Sequence, residues 1–186
     1  FSSRRRHTRL RTVTEFRRVL FRSLLPARNS FIALTLALAL LFNLLPWRDM
    51  TGVPDLTAAV LAFWCIHQPR KMGIGVAWLL GIVMDAANGA LLGQHAFAYS
   101  VLAFGAIALS RRVLWFPIWP QALHVFALLL TCQLLMVIVR MLSDGVFPSI
   151  WYFLSSLIAA LLWPIATVVL LIPQRLPESI DETRPL

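Results

Sequence analysis

Asp85 is the first residue to question for chemistry. It stands at the end of an apolar run that includes Ile74, Val76, Trp78, Leu79, Leu80, Ile82, Val83 and Met84. A carboxylate at mid-membrane costs about 2.5 to 3.5 kcal/mol on insertion scales unless it meets a partner or water. His95 follows ten residues later and is the one histidine close enough in sequence to pair with it. Two readings stand: an Asp–His proton relay, or hydrogen bonding between helix ends. Asp85 itself either meets such a partner or faces water at a helix end, because Ala86, Ala87, Asn88 and Gly89 look like a helix terminus. No other chemistry is spelled out. Ser100, Ser110, Ser155 and Ser156 lack the glycine-flanked elbow of a serine nucleophile. His67, His95 and His124 share no metal-ligand spacing, and no phosphate loop occurs. His124 is expected to bond a neighbouring helix. Cys65 and Cys132 lie in apolar runs and read as small hydrophobes. No cofactor or metal is implied.

The element that must position Asp85 carries a four-residue pattern: Gly73, Ala77, Gly81, Asp85, Gly89, Gly93. Four-residue spacing puts neighbours on one helix face. Small residues there let a second helix approach closely within a membrane.

Composition sets the class. The chain has 186 residues, 59% hydrophobic and 13% charged, with a mean hydropathy of +0.76. A soluble domain carries about 25% charge, so an integral membrane protein is expected, with one helical bundle using most of the length. The net charge of +9 suggests nucleic acid until its placement is seen. Residues 1–28 hold nine of the 17 Lys and Arg and one acid, Glu15, so that segment is +8 and the rest only +1. No nucleic-acid partner follows. The segment reads either as a disordered basic arm attracted to anionic membrane lipid, or as an artefact. Its end, Leu20, Phe21, Arg22 and Ser23, resembles translated sequencing adapter joined in frame, which would start the native chain near Leu24.

Three regions result: a basic tail (1–28), a transmembrane domain (29–175) and a short cytoplasmic tail (176–186). Six spans are expected, at 31–45, 56–66, 72–87, 95–110, 122–139 and 150–172. Trp47 sits at interface depth after the first. Pro54 and Asp55 open the second, Pro suiting a first helical turn and Asp the positive helix end. The second is short for a crossing of about 20 residues. It must tilt little, thin the bilayer or be shielded by protein. Residues 113–120, with Trp115, Phe116, Pro117, Trp119 and Pro120, are expected to form an interfacial segment. Pro164 is expected to kink the sixth span. Arg28, Arg70, Lys71, Arg111, Arg112 and Arg175 then share one side. Arg48 and Arg140, each near an acid (Asp49, Asp144), lie on the other. The positive-inside rule puts both termini in the cytoplasm and Asp55, Asp85 and Asp144 toward the outer side.

Pro54, Asp55 and Leu56, then Trp64, Gln68 and Pro69, Gly81 with Asp85, Gly89, Leu92 and Gly93, and His95 to Tyr99 form an ordered set. In that order and spacing the chain resembles the rod shape-determining MreD family, in its short proteobacterial form, over roughly 29–175. The resemblance implies an all-α inner-membrane protein with a bundle of six transmembrane helices, similar to the substrate-binding subunits of energy-coupling-factor transporters. It implies no catalytic activity. It implies binding to an MreC-like membrane protein and, through it, to the MreB filament, RodA and a class B penicillin-binding protein, in control of rod shape and lateral peptidoglycan synthesis. Pro54, Asp55, Gly81, Asp85, Gly89, Gly93, His95 and Tyr99 become candidates for packing or partner interaction. A small-molecule-binding transporter subunit is the alternative.

Overall fold

The computed structural model describes residues 27–45, 52–145 and 147–174. All regular structure among them is helical: α1 (Asn29–Leu44), α2 (Leu56–His67), α3 (Ile74–Asn88), α4 (Gln94–Trp115), α5 (Ile118–Asp144), a 3-10 turn (Ile150–Phe153), α6 (Leu154–Leu161), α7 (Trp163–Leu171) and a 3-10 turn (Ile172–Gln174). Residues 27–168 form one compact unit. Of a second unit only 169–174 are described, where Gln174 Nε2 donates to the Leu170 carbonyl at 3.0 Å. The expectations about residues 1–26, Trp47, Arg48, Asp49, Arg175 and the tail after it lie outside the described residues, as does the side chain of Asp144.

α2 is the centre of the larger unit. Leu61, Ala62, Phe63, Trp64, Cys65 and Ile66 are all fully buried. A helix apolar all round must be enclosed by protein or lipid, and here protein does it. α1, α4 and α5 pack on α2, and the ring of Trp163 lies 5.8 Å from that of Phe63. That enclosure answers the question of its length. At about 1.5 Å per residue its 12 residues span about 18 Å, short of a bilayer core of about 30 Å, but little of α2 has to meet lipid. Cys65 and Cys132 are free and buried in helices.

α1 buries Ile32, Leu36 and Ala39 and exposes Leu34, Leu38 and Leu41. It is tied to α2 by Trp64 Nε1, which donates to Thr35 Oγ1 at 2.9 Å. α4 packs on α2, α3 and α5. At one end of the unit Lys71 Nζ donates to the Ala27 carbonyl at 2.6 Å. The opposite end gathers the end of α1, the start of α2, the end of α3 and the start of α4.

Among the described residues, two helices are long and apolar enough to cross a membrane, Gln94–Trp115 and Ile118–Ser143, and a third crossing results if Ile150–Leu161 and Trp163–Gln174, bent by 43°, count as one. The first three helices, of 16, 12 and 15 residues, are apolar but shorter. Residues 113–120 join two helices, since α4 runs to Trp115 and α5 starts at Ile118, with Pro120 in the first turn, where its missing N–H is harmless. Two details depart from expectation. Pro54 precedes the N-cap Asp55 and lies outside α2. His124 Nδ1 bonds the Pro120 carbonyl of its own helix at 2.7 Å, and its ring stacks on Phe116 at 5.2 Å, so it joins no neighbouring helix. The kink expected at Pro164 is present. The break falls at Leu162, because the proline ring clashes with the carbonyl four residues back.

Candidate functional site: a buried polar corner

α3 ends where the sequence says, with Gly89 in the left-handed region at φ 61°. Gly89 and Ala90 both return their N–H groups to the Asp85 carbonyl. The chain then turns through Gly93, at φ 103°, into α4. A side chain on either glycine would strain the backbone.

Gly93 is the N-cap of α4 and has no side chain to offer. Asp85 supplies the cap from the preceding helix. Its Oδ2 accepts from the Gly93 N–H at 2.8 Å and the Ala96 N–H at 3.3 Å. Its Oδ1 accepts from the His95 N–H at 2.8 Å and from His95 Nδ1 at 2.7 Å. Gln94 N donates to Leu91 O and Phe97 N to Gly93 O. Every N–H of the first turn of α4, an end that normally leaves four orphan donors, is therefore satisfied. The carboxylate also meets the positive end of the α4 dipole. Asp85 is 1% exposed, so it does not face water, and its four acceptor positions are filled. Because a carboxylate only accepts, His95 must carry its proton on Nδ1, which leaves Nε2 as its remaining polar atom.

The crossing of α3 and α4 rests on Gly81. A Cβ built there would lie 2.6 Å from the His95 carbonyl carbon and closer still to Ala96 Cα and N. Ala77, Gly81 and Asp85 form the buried face of α3, joined by Met84. The four-residue pattern is real only over that stretch. Gly73, Gly89 and Gly93 have open space where a Cβ would be, so Gly89 and Gly93 act by conformation and not by close packing.

Asp55 builds the second half of the corner. As N-cap of α2, its Oδ1 accepts from the Ala58 N–H at 2.9 Å and from Asn43 Nδ2 at 2.6 Å. Asn43 Oδ1 accepts the Leu56 N–H at 3.2 Å. Asp55 Oδ2 accepts from the fully buried Tyr99 hydroxyl at 2.7 Å. His95 and Tyr99 are one turn apart on α4, with rings edge to face at 5.9 Å. α4 thus holds both carboxylates, Asp85 through His95 and Asp55 through Tyr99. Pro54, Asp55, Gly81, Asp85, Gly89, Gly93, His95 and Tyr99 all converge here.

A third group was missed in the sequence. Gln133 of α5 donates through Nε2 to Ser155 Oγ and to the Tyr152 carbonyl, and its Oε1 accepts from Ser156 Oγ. The available signal was the one that marked Asp85: a lone amide in an apolar run. A cavity of about 200 Å³ lies between these groups, lined by Asn43, Val53, Pro54, Asp55, Met84, His95, Gln133, Met136, Tyr152 and Ser155. A wider one of about 820 Å³, lined by Asn88, Gly89, Ala90, Leu91, Gln94, His95, Arg140 and Tyr152, shares His95 and Tyr152 with it.

An apolar chain, helical over its described residues, whose buried Asp85 and half-buried Asp55 are occupied in capping and cross-linking helices is an integral membrane protein with a structural polar core. Residues 26–172 match the family described as rod shape-determining protein MreD, and the chain belongs to that family. It is also 30% identical over 133 residues to the rod shape-determining protein MreD of Haemophilus influenzae, covering 68% of this chain and 80% of that protein. No solved structure matches the chain.

Proposed function

We propose that this protein is a non-enzymatic inner-membrane component of the cell-elongation complex, binding an MreC-like membrane protein and so helping to control rod shape and lateral peptidoglycan synthesis. The MreB filament, RodA and a class B penicillin-binding protein are its indirect partners. The observation that carries this reading is the saturation of Asp85. All four of its acceptor positions take donors from its own chain, so the residue best suited to acid–base work holds two helices together. The eight corner residues then have packing roles, and the partner meets the lipid-exposed faces of the bundle.

The architecture in this proposal is six crossings, with α1 to α5 as five and the bent pair α6–α7 as the sixth, in a bundle similar to energy-coupling-factor substrate-binding subunits. The enclosed α2 supports counting a 12-residue helix as a crossing. Both termini are cytoplasmic. The Lys71–Ala27 hydrogen bond supports one shared side for the start of α1 and the basic α2–α3 link, opposite the Asp55–Asp85 corner.

Copurification in detergent with a single-span MreC-like protein tests the proposal. Retention of the partner at near-equal stoichiometry is expected. Loss of the partner under conditions where an authentic pair from a rod-shaped bacterium survives would refute it, as would turnover of a substrate by the purified protein alone.

A further inference from the structure

We infer that the corner cavity is a binding site for a small molecule or lipid headgroup bearing a primary ammonium group. The cavity of about 200 Å³ far exceeds the roughly 10–15 Å³ that one water requires. Its walls come from α1, the α2 N-cap, α3, α4, α5 and the Tyr152 turn, all within one compact unit.

The lining selects the chemistry. Among the described residues, Asp55 is the one formally charged acid on it, and no lysine or arginine lines it. Among the described residues Asp55 Oδ2 accepts one hydrogen bond, from Tyr99, and a carboxylate oxygen can take two. His95 Nδ1 is taken up by Asp85, which leaves Nε2 as its remaining polar ring atom. Asn43, Gln133, Tyr152 and Ser155 bring donors of their own, but the described lining sets no positive charge against the Asp55 carboxylate. A primary ammonium supplies that charge together with N–H groups for the Asp55 carboxylate, and the ring of Tyr152 also favours a cation. An anion would meet Asp55 with no cation beside it among the described residues. The order of charge outward is informative as well, since Arg140 lines the wider cavity beyond His95 and Tyr152. A zwitterion with its amine inward and its acid outward fits that order. Ethanolamine phosphodiester has this form, free or as a lipid headgroup.

Glycerophosphoethanolamine, glycerophosphocholine and glycerophosphoglycerol, added to the detergent-purified full chain, separate the contributions of charge and N–H donation. Thermal stability and native mass spectrometry are the readouts. The ethanolamine compound is expected to bind at one per chain. The choline compound, with no N–H, and the glycerol compound, with no positive charge, should bind at least tenfold more weakly. Nanodiscs containing phosphatidylethanolamine, compared with pure phosphatidylglycerol, distinguish the lipid from the free headgroup. One retained ethanolamine lipid with no free-headgroup binding assigns the site to the lipid. Asp55→Asn keeps a good capping side chain and should weaken binding at least tenfold. Met136→Trp fills the cavity from its apolar wall and should abolish binding, which decides the matter if Asp55→Asn fails to fold. Equal binding of the three headgroups, binding undiminished in either folded variant, or no bound ammonium compound in either arm overturns the inference.

Discussion

Adding one methyl group at Gly81 should damage this protein more than any other glycine-to-alanine change in it. The new Cβ would sit 2.6 Å from the His95 carbonyl carbon, and closer to Ala96 Cα and N, whereas ordinary Cβ contacts begin near 3.4 Å. The obstructing atoms are backbone and cannot rotate away, so α3 and α4 must separate by about 1 Å at the crossing. Overpacking of this kind costs about 1–3 kcal/mol. The separation also pulls on the hydrogen bonds from Asp85 to His95 and Ala96, because Gly81 and Asp85 are one turn apart on the same face. A total near the upper end, about 3 kcal/mol, corresponds to a fall of about 6–12 °C in Tm for a chain of this size. The assay is thermal unfolding in detergent, followed by tryptophan fluorescence, of Gly81→Ala beside Gly73→Ala and Gly75→Ala. The two controls have open space at the Cβ and should change stability by no more than about 1 kcal/mol in either direction. If Gly81→Ala melts with the wild type, or with the controls, the close crossing of α3 and α4 is wrong.

Asp85→Asn replaces one accepting oxygen by an amide that faces N–H donors. It should destabilise the protein by about 1.5–3 kcal/mol, read as a lower Tm together with faster amide exchange at Gly93, His95 and Ala96. Gly93→Ala, at φ 103°, should cost about 1–3 kcal/mol by the same melt although nothing obstructs its Cβ. Gln133→Leu leaves the hydroxyls of Ser155 and Ser156 without their amide and should cost about 1–3 kcal/mol, whereas Thr131→Val, which loses only a bond to its own helix, should cost less than about 1. Cysteines introduced at Arg70 and Arg111 should resist an impermeant maleimide in intact cells and react after lysis. Labelling from outside would overturn the proposed orientation.

Much of the corner was legible because a carboxylate in an apolar run must have a reason. Residue type and spacing marked Asp85, its helix terminus and His95 as a candidate partner, and Asp55 announced itself as a helix start, but only the packing decides that Asp85 meets His95 and not water. The glycine pattern overstated the case. Six positions share a spacing, but α3 begins after Gly73 and ends before Gly89, so only the middle of the stripe lies on a helix face. Neutral polar residues were harder to read. In an apolar helix a hydroxyl, imidazole or amide can bond the carbonyl one turn back, as Ser100, His124 and Thr131 do, or reach a neighbour, as Gln133 does. Residue type does not distinguish the two, because the choice depends on which helix lies opposite. The short second span was legible as a puzzle and not as an answer. Its all-round hydrophobicity fits lipid or protein equally, and only the packing of α1, α4 and Trp163 around it decides for protein.

The two carboxylates also explain why a shape-determining membrane protein would keep costly acids. Each stands at a helix N-terminus that its own N-cap position alone does not complete. α4 begins at a glycine, and the start of α2 needs Asn43 as well as Asp55. Backbone donors left bare near lipid cost several kcal/mol each, so an acid that takes three backbone N–H groups and an imidazole offsets its own burial. Such a joint tolerates little movement: sliding α3 along α4 by one residue would break four hydrogen bonds and drive Gly81 off Ala96. Partner binding at this end would therefore meet a fixed surface, and signalling through the bundle would have to travel by tilting the whole unit. A disulfide engineered between α3 and α4 near the crossing should then leave partner retention unchanged. Loss of the partner on closing that disulfide, in protein that still melts normally, would show that the α3–α4 joint moves.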